Sequence, residues 1–312
     1  GAEPVKFEAV IGNPPYQENM VSTSDDQIFY KFMDISYDIP DKCCFITPGK
    51  FLFGAGKTPK EWNDKILSNP HVKICRFERA SEKIFHETDV KGGLAITFMD
   101  QAANYGAIGK YEPYEPLKSV VQKVKSNTFS PMASLIYAPE SYKFTEILHQ
   151  DYPDAKSKMS NGHFYDVTTN IFKRLPFLFY SEKPQDGDEY IRLYGLQNKN
   201  RKYLWIKKCY IRNHGNLLSY KIFVPKVNGS GALGEELSDP IIGEPNVGHT
   251  QTFISIGSFD SREIADNALK YIKSKFVRAL LGTLKTTPDN KKRTWNNVPP
   301  QDFTEHSDID WS

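Results

Sequence analysis

Two consecutive prolines, Pro14 and Pro15, follow the apolar run 7–12 and constrain the fold of the first part of the chain. Each proline lacks a backbone N–H and fixes φ at about −65°, so the pair neither continues a strand nor begins an ordinary helical turn. The backbone must therefore leave a strand abruptly. Since ligands bind beside the carboxyl ends of strands in open α/β sheets, we expect Asn13 and Tyr16 to lie at such an edge.

The composition is that of a globular protein. The chain has 312 residues, of which 39% are hydrophobic and 13% aromatic, enough for two domains with separate cores. No apolar run approaches the roughly 18 residues of a membrane-spanning helix, so no membrane contact is expected. The four cysteines lack C-x-x-C spacing, which favours a reducing, cytoplasmic location without disulfides or zinc. The first residue is Gly1 rather than Met, which suggests a fragment.

Positive charge is concentrated in the second part of the chain, although the net charge is only +2. Residues 1–115 contain 13 Lys and Arg against 17 Asp and Glu, whereas the remainder contains 27 against 21. Two long stretches, 191–234 and 267–288, contain no acidic residue, and their basic side chains are candidates for contact with phosphate groups. These are Arg192, Lys199, Arg201, Lys202, Lys207, Lys208, Arg212, Lys221, Lys226, Lys270, Lys273, Lys275, Arg278 and Lys285. A solvated basic face is the alternative interpretation.

Hydrophobic periodicity predicts alternating helices and strands after the prolines. The predicted segments are a helix over 27–37, a strand over 42–47, a helix over 58–67 capped by Thr58, and strands over 71–78 and 93–99. Together with the first strand, this order fits half of a doubly wound sheet that ends in a closing strand pair. Turn residues become frequent near residue 115, which predicts one domain over 1–115 and another over 116–312.

Several patterns imitate ligand sites without meeting their requirements. The sequence Gly56-Lys57-Thr58 is no P-loop, because Phe51 stands where the first glycine of that motif is required. Gly54 and Gly56 are interpreted as a loop before a helix, and 228–229 as a hairpin turn rather than an anion cradle. The seven histidines show no metal-ligand spacing, so no metal is predicted.

The tetrapeptide Asn13-Pro14-Pro15-Tyr16 resembles the fourth motif of DNA methyltransferases that act on N6 of adenine. That amine is a poor nucleophile, because its lone pair is delocalised into the ring. In this family the Asn side-chain oxygen and the carbonyl of the first Pro accept the two N6 protons, while the Tyr stacks on the flipped base. The resemblance thus implies catalytic roles for Asn13, Pro14 and Tyr16. A simple strand-terminating turn is the alternative.

Phe85 extends the resemblance, because it lies between the last two predicted strands of the first domain. The family places an aromatic residue at this point, its eighth motif, facing the Tyr across the flipped base. Stacking of a base on an aromatic ring contributes about 1–3 kcal/mol and helps to offset the cost of base flipping. The resemblance implies that Tyr16 and Phe85 stack on the target base. A core position for Phe85 is the alternative.

Short blocks at 194–198, 220–226 and 250–253, a helix over 261–281 and the segment 294–311 resemble the target-recognition domain and closing segment of large bacterial restriction-modification methylases. The resemblance implies an α/β fold: a partial doubly wound, Rossmann-like methyltransferase sheet followed by an α+β target-recognition domain. It implies site-specific methylation of adenine N6 in double-stranded DNA. The residues assigned to DNA contact are Lys199, Arg201, Lys202, Lys207, Lys208, Arg212 and Lys226.

In this family the glycine turn and the acidic residue that bind S-adenosylmethionine precede the tetrapeptide, whereas only 12 residues precede Asn13. We therefore expect an incomplete cofactor site, an inactive chain and a missing N-terminal methyltransferase half as partner. A permuted order, with these motifs after residue 312, is the alternative. Two other functions stay open: a DNA-specificity module without activity of its own, and a protein glutamine methyltransferase. A restriction nuclease, fused or associated, is compatible with the resemblance.

Overall fold

A computed structural model of the chain describes residues 7–18, 26–37, 39, 41–87, 89–126, 130–285 and 287–312; Gly1 lies outside them. The chain divides into two compact units, Gly1–Lys118 and Ser119–Ser312. Both combine helices with sheets, so the mixed α/β class predicted from the sequence is confirmed. In the part of the chain that the structure describes, no helix has the length and apolar character needed to cross a membrane.

The first unit is built on a four-stranded sheet. Its elements are β1 (Ala9–Gly12), β2 (Gln17–Glu18), β3 (Asp26–Gln27), α1 (Phe29–Tyr37), β4 (Lys42–Pro48), α2 (Lys60–Ser68), β5 (Val72–Glu78) and β6 (Leu94–Asp100). The strand order is β1-β4-β6-β5, and β2 pairs with β3 in a separate ribbon. β1 is parallel to β4, and β6 is antiparallel to both β4 and β5. Consequently β1, β4 and β5 all run in the same direction.

Two of the predicted helix starts differ from the structure. α1 begins at Phe29 rather than at residue 27, because Gln27 pairs with Gln17 between β3 and β2. The prediction that Thr58 caps α2 is wrong, since Pro59 occupies the cap position and makes no side-chain cap. The Thr58 hydroxyl instead donates to Asn63 Oδ1 at 2.8 Å.

The helices of the first unit cover one face of its sheet. Because side chains alternate along strands, residues 43, 45, 95 and 99 point to this face and pack against α1 and α2. Trp62 of α2 lies edge-on to Phe29 of α1, with 6.0 Å between ring centroids. The opposite face carries Ile11, Cys44 and Ile46, which are exposed or half-buried, and Ile11 has 82% of its surface exposed. The sheet is thus apolar on both faces but covered fully on only one.

The second unit contains two sheets. Its elements are α3 (Glu115–Ser126, which begins in the first unit), β7 (Ile136–Tyr137), α4 (Glu146–Asp151), α5 (Ile171–Arg174), β8 (Tyr190–Gln197), β9 (Asn200–Lys207), β10 (Tyr220–Pro225), β11 (Ile241–Gly243), β12 (Val247–His249), β13 (Phe253–Phe259), α6 (Arg262–Lys273) and α7 (Lys275–Leu284). One sheet has the order β11-β10-β13-β7, and the other has the order β12-β8-β9. The first packs against α6 and α7, and one face of the second packs against α4 and α5.

The single helix predicted over 261–281 is wrong, because Ser274 divides it into α6 and α7. Ser274 has an extended backbone, with φ −64° and ψ 153°, so it cannot belong to either helix. Its hydroxyl accepts the N–H of Val277 at 3.2 Å and caps the start of α7. Serine is a favoured N-cap because its side chain replaces the missing intrahelical partner.

The predicted hairpin turn at 228–229 is also wrong. These residues belong to the long connection 226–240 between β10 and β11, in which residues 230–232 direct their backbone N–H groups at Glu235 Oε1, at 2.7 to 2.9 Å. The other carboxylate oxygen pairs with the buried Lys285 ammonium at 3.1 Å. The loop is therefore an anion cradle that holds a carboxylate of the same chain.

Candidate active site

The carboxyl ends of β1, β4 and β5 define one edge of the first sheet, since these strands share a direction. The tetrapeptide 13–16 follows β1, the loop 49–59 follows β4, and the loop 79–93 follows β5. Because strands that share a direction end at the same edge, the three segments converge there. This is the edge at which open α/β sheets bind ligands.

The tetrapeptide leaves β1 as the prolines predicted. Pro14 is buried, whereas Asn13 and Pro15 are exposed and Tyr16 is half-buried. Gly12, the last residue of β1, lies against the Phe45 ring, since a Cβ built on it would be 3.1 Å from that ring. A buried proline and a tightly packed glycine thus fix the backbone on each side of Asn13, whose side chain reaches solvent.

Tyr16 is held by backbone contacts at the start of α1. Its carbonyl accepts the N–H of Ile28 at 3.2 Å, and the next residue, Gln17, pairs with Gln27. The Tyr16 hydroxyl is buried, and no hydrogen-bond partner for it is found among the described residues. Burial raises the pKa of Tyr16, and the nearby Asn13 side chain opposes this only in part. Tyr16 therefore stays a neutral phenol at physiological pH.

Contacts between neighbouring loops make the edge continuous. The Gly49 N–H donates to the Gly93 carbonyl at 2.9 Å, which joins the loops after β4 and β5. Gln27 Oε1 accepts the N–H of Lys57 at 3.3 Å, which joins the loop after β4 to β3. The segments after β1, β4 and β5 therefore form one connected rim. At Gly93 two backbone segments approach closely, because a Cβ there would be 2.5 Å from the Glu78 carbonyl oxygen.

Replacement of Gly93 by alanine tests this close approach. Gly93 has φ +77°, so Gly93→Ala combines left-handed backbone strain with a direct clash, and we expect a loss of about 3 kcal/mol or more in unfolding free energy. Gly54→Ala is the matched control: Gly54 also has positive φ, +60°, but nothing lies within 4 Å of its Cβ position, so about 1–2 kcal/mol is expected. Urea unfolding of both variants measures the difference, and equal losses would contradict the close approach.

Phe85 lies at the same edge, in the loop after β5. Its N–H donates to the Ser81 carbonyl at 2.9 Å, and the Ser81 hydroxyl accepts the N–H of Val90 at 2.8 Å, which stabilises the loop. The Phe85 side chain is half-buried. β1 and β5 are the outer strands of the sheet, about 14 Å apart at a spacing of about 4.8 Å per strand. The facing of Tyr16 and Phe85 across one base stays a prediction.

Within the described ranges, no group of three or more histidine, cysteine, aspartate or glutamate side chains is arranged to hold a metal ion.

The residues assigned to DNA contact fall into separate places of the second unit. Lys199, Arg201 and Lys202 are exposed at the turn between β8 and β9, where Lys199 has φ +66°. Lys207 and Lys208, at the other end of β9, pair with carboxylates of Asp188 and Glu189. Arg212 is exposed and follows this end of β9, whereas the half-buried Lys226 follows β10 in the other sheet.

The prediction of phosphate contact is wrong for two further basic residues of the acid-free stretches. Lys221 is fully buried, and its ammonium donates to the carbonyls of Leu217, Ser219 and Glu244 at 2.8 to 3.1 Å. Burial lowers the pKa of Lys221 to about 7, whereas the three carbonyl acceptors favour its charged form. Lys285 is equally inaccessible in the Glu235 cradle. The sequence does not indicate that these two lysines are buried, because folding brings their hydrogen-bond partners to them from other segments of the chain.

Sequence reasoning also missed a group of side chains on one face of β8 and β9. On β9 this face carries every second residue from 201 to 207, namely Arg201, Tyr203, Trp205 and Lys207. On β8, Arg192 lies opposite Trp205. The period-two alternation of basic and aromatic residues from 201 to 207 was the available signal.

Comparisons with known proteins agree with the family resemblance of the tetrapeptide. Residues 2–85 match the family of Eco57I restriction-modification methylases, a range that contains the tetrapeptide and Phe85. Over 95 residues the chain is 32% identical to an uncharacterized adenine-specific methylase of Mycoplasma pneumoniae (strain ATCC 29342 / M129 / Subtype 1). This alignment covers 29% of the chain and 22% of that methylase. The chain thus spans about a fifth of the length of this relative.

A solved structure, that of the Type IIL restriction-modification enzyme MmeI in complex with DNA, is similar over 93% of this chain and 46% of the MmeI chain. The TM-score is 0.40 and the sequence identity 10%. The sequence matches confirm the resemblance inferred from Asn13, Pro14 and Tyr16: residues 2–85 match the family of Eco57I restriction-modification methylases, and part of the chain is similar to an adenine-specific methylase.

Proposed function

We propose that this chain is part of a DNA adenine-N6 methyltransferase of a restriction-modification system. The first unit supplies half of a doubly wound, Rossmann-like catalytic domain, and the second is an α+β target-recognition domain. The position of the tetrapeptide carries this proposal: Asn13 is exposed at the carboxyl end of β1, beside Tyr16, within the range that matches the methylase family. A DNA substrate places the complete enzyme in the cytoplasm.

The proposed chemistry rests on two hydrogen-bond acceptors. Asn13 Oδ1 and the Pro14 carbonyl accept the two N6 protons of a flipped adenine, which concentrates the lone pair on nitrogen. The nitrogen would gain a methyl group as the bond between that methyl carbon and the sulfur of the donor breaks, and it would release one proton to solvent. Tyr16, a neutral phenol, stacks on the base, and Phe85 closes over its other face. S-adenosylmethionine would supply the methyl group, and no residue of this chain is assigned to its binding.

The uncovered face of the first sheet supports the view that part of the catalytic domain is missing. The sheet is mixed, with β1 and β4 as its parallel pair, and open α/β sheets are normally covered on both faces because the helices that connect parallel strands pack there. Here β1 is an edge strand parallel to β4, and Ile11 projects from it with 82% of its surface exposed. We infer that the missing half adds strands beside β1 and helices over the side of Ile11, Cys44 and Ile46.

A turnover experiment tests this division of the enzyme. We expect the chain alone to transfer no labelled methyl group from S-adenosylmethionine to DNA, because we assign the strands that hold the cofactor to the missing half. Co-expression of the chain with the missing half, which the complete gene encodes, should restore methyl transfer. Robust turnover by the chain alone would show that its cofactor site is complete.

Two other functions predict different outcomes of the same experiment. A DNA-specificity module without activity of its own would bind duplex DNA with a steep salt dependence, yet show no transfer after the missing half is added. A protein glutamine methyltransferase would methylate protein but not DNA. The basic character of the chain after residue 115 favours DNA, because this part carries 27 Lys and Arg against 21 Asp and Glu. A fused or associated nuclease is compatible with each DNA-directed alternative.

A further inference from the structure

We propose that the side chains of Arg192, Arg201, Tyr203 and Trp205 form a surface that binds the sugar-phosphate backbone of duplex DNA. This surface is named the Arg192 face. The inference rests on the proposed function, because it assigns a place for the DNA substrate on the second unit. Of the four residues, Arg192 and Arg201 are candidates for phosphate contact from the sequence, and the resemblance assigns only Arg201 to DNA contact.

Strand register brings these side chains to one face. β8 and β9 are antiparallel, with Arg192 opposite Trp205, Tyr194 opposite Tyr203, and Leu196 opposite Arg201. Residues that face each other across neighbouring strands project to the same side. The intervening residues, such as Leu204 and Ile206, project to the other side and belong to the buried core. The core therefore fixes the hairpin and holds the Arg192 face in place.

Both arginines of the face lie over aromatic rings. The Arg192 guanidinium carbon is 5.2 Å from the centroid of the Tyr203 ring and 5.6 Å from that of Trp205. Arg201 lies 5.7 Å from the ring of Phe253. A guanidinium that stacks on a ring still has N–H donors in its plane, which can bond to phosphate oxygens. Stacking also positions the long side chain before a ligand arrives, which reduces the entropy lost on binding.

The face is accessible. Tyr203 is 38% exposed, Trp205 is half-buried, and Arg201 is exposed. The exposed residue Lys199 flanks it at the turn of the hairpin and has no carboxylate partner among the described residues. Apolar ring surface beside donors and positive charge matches the deoxyribose and phosphate groups of a DNA strand.

The charges around the face leave it positive. Glu244 Oε2 pairs with Arg192 at 2.8 Å, and Glu244 Oε1 lies 3.5 Å from Arg262, which also lies 3.8 Å from Asp266, whereas no carboxylate pairs with Arg201 among the described residues. The ammonium of Lys183 lies 6.0 Å from the Trp205 ring and adds another positive charge. Lys207, on the same side of β9, is neutralised by Asp188. Exchange of the Glu244 carboxylate for a phosphate would keep the Arg192 donors bonded.

Fluorescence anisotropy with a labelled duplex of about 30 base pairs tests the face, with the 312-residue chain at several salt concentrations. We expect Arg192→Gln to weaken binding about 5- to 20-fold and to reduce the slope of log K against log salt by about 1, as for the loss of one phosphate contact. Tyr203→Leu should weaken binding about 5-fold without a change in slope, because it removes no charge. If Arg192 and Tyr203 had only structural roles, their two variants would not differ in the slope of log K against log salt.

Matched controls lie in the first unit. Arg76→Gln removes an exposed arginine, and Tyr105→Leu removes a tyrosine with 40% exposure, close to that of Tyr203. Both should bind within about twofold of the unaltered chain. Thermal unfolding of each variant verifies that it is folded.

Unchanged affinity of Arg192→Gln and Tyr203→Leu would overturn the inference, as would weaker binding of Arg192→Gln with an unchanged salt slope. Methyl transfer separates this failure from a failure of the proposed function. If the complete enzyme methylates adenine while these variants bind normally, the proposed function stands and only the Arg192 face is lost. If the unaltered chain binds no duplex, the inference that the Arg192 face binds DNA is also wrong.

Discussion

Replacement of Asn13 by alanine in the complete enzyme is expected to lower kcat for adenine methylation by at least about 10²-fold, while DNA affinity changes little. Removal of one hydrogen-bonding group that acts in the transition state of an enzyme typically costs about 10²- to 10³-fold in rate. Asn13 suits this role because it is exposed at the sheet edge and follows a glycine packed against Phe45. Single-turnover transfer of a labelled methyl group measures the rate, and a binding assay measures the affinity.

Two further variants sharpen the result. Asn13→Asp keeps an oxygen acceptor, so we expect it to retain more activity than Asn13→Ala. Asn161→Ala replaces another exposed asparagine, in the second unit, and should leave the rate unchanged. Normal turnover by Asn13→Ala would refute a role for its side chain in the reaction.

Glu235→Ala is expected to destabilise the second unit by about 3–5 kcal/mol. The Glu235 carboxylate accepts three backbone N–H bonds and pairs with Lys285, whose side chain is only 4% exposed. Loss of one partner of a buried ion pair leaves an uncompensated charge, and here three N–H donors also lose their acceptor. Chemical unfolding followed by circular dichroism measures the change.

The neighbouring residue supplies the control. The Glu236 side chain is 81% exposed and pairs with Arg278 at the surface, so Glu236→Ala should cost less than about 1 kcal/mol. A loss for Glu235→Ala as small as that for Glu236→Ala would mean that the cradle contributes little to stability.

Local rules predicted those parts of the fold that neighbouring residues decide. The prolines at 14 and 15 end β1, and the periodic apolar residues of α1 and α2 form helices close to the predicted bounds. The rules failed where a distant partner or a competing local bond decides. Gln27 joins a strand pair rather than α1, and Ser274 caps a second helix within a segment that is periodic throughout.

Charge patterns were less informative than motifs for the same reason. Lys221 and Lys285 lie in stretches without acidic residues, yet both are buried, because carbonyl groups and a carboxylate from other segments surround them. Asn13, Pro14 and Tyr16 were recognised because adjacent residues carry the whole motif. The distance between Tyr16 and Phe85, like the register that joins Arg192 to Trp205, depends on strand pairing, which no short motif encodes.

Mass spectrometry of nucleosides tests the central claim most directly, on DNA from cells that express the complete gene and from cells that express its Asn13→Ala variant. The proposed function predicts N6-methyladenine in the first DNA and its absence from the second. DNA without methylated adenine in the first sample, together with methylglutamine in cellular protein, would contradict the assignment of this chain to DNA adenine methylation.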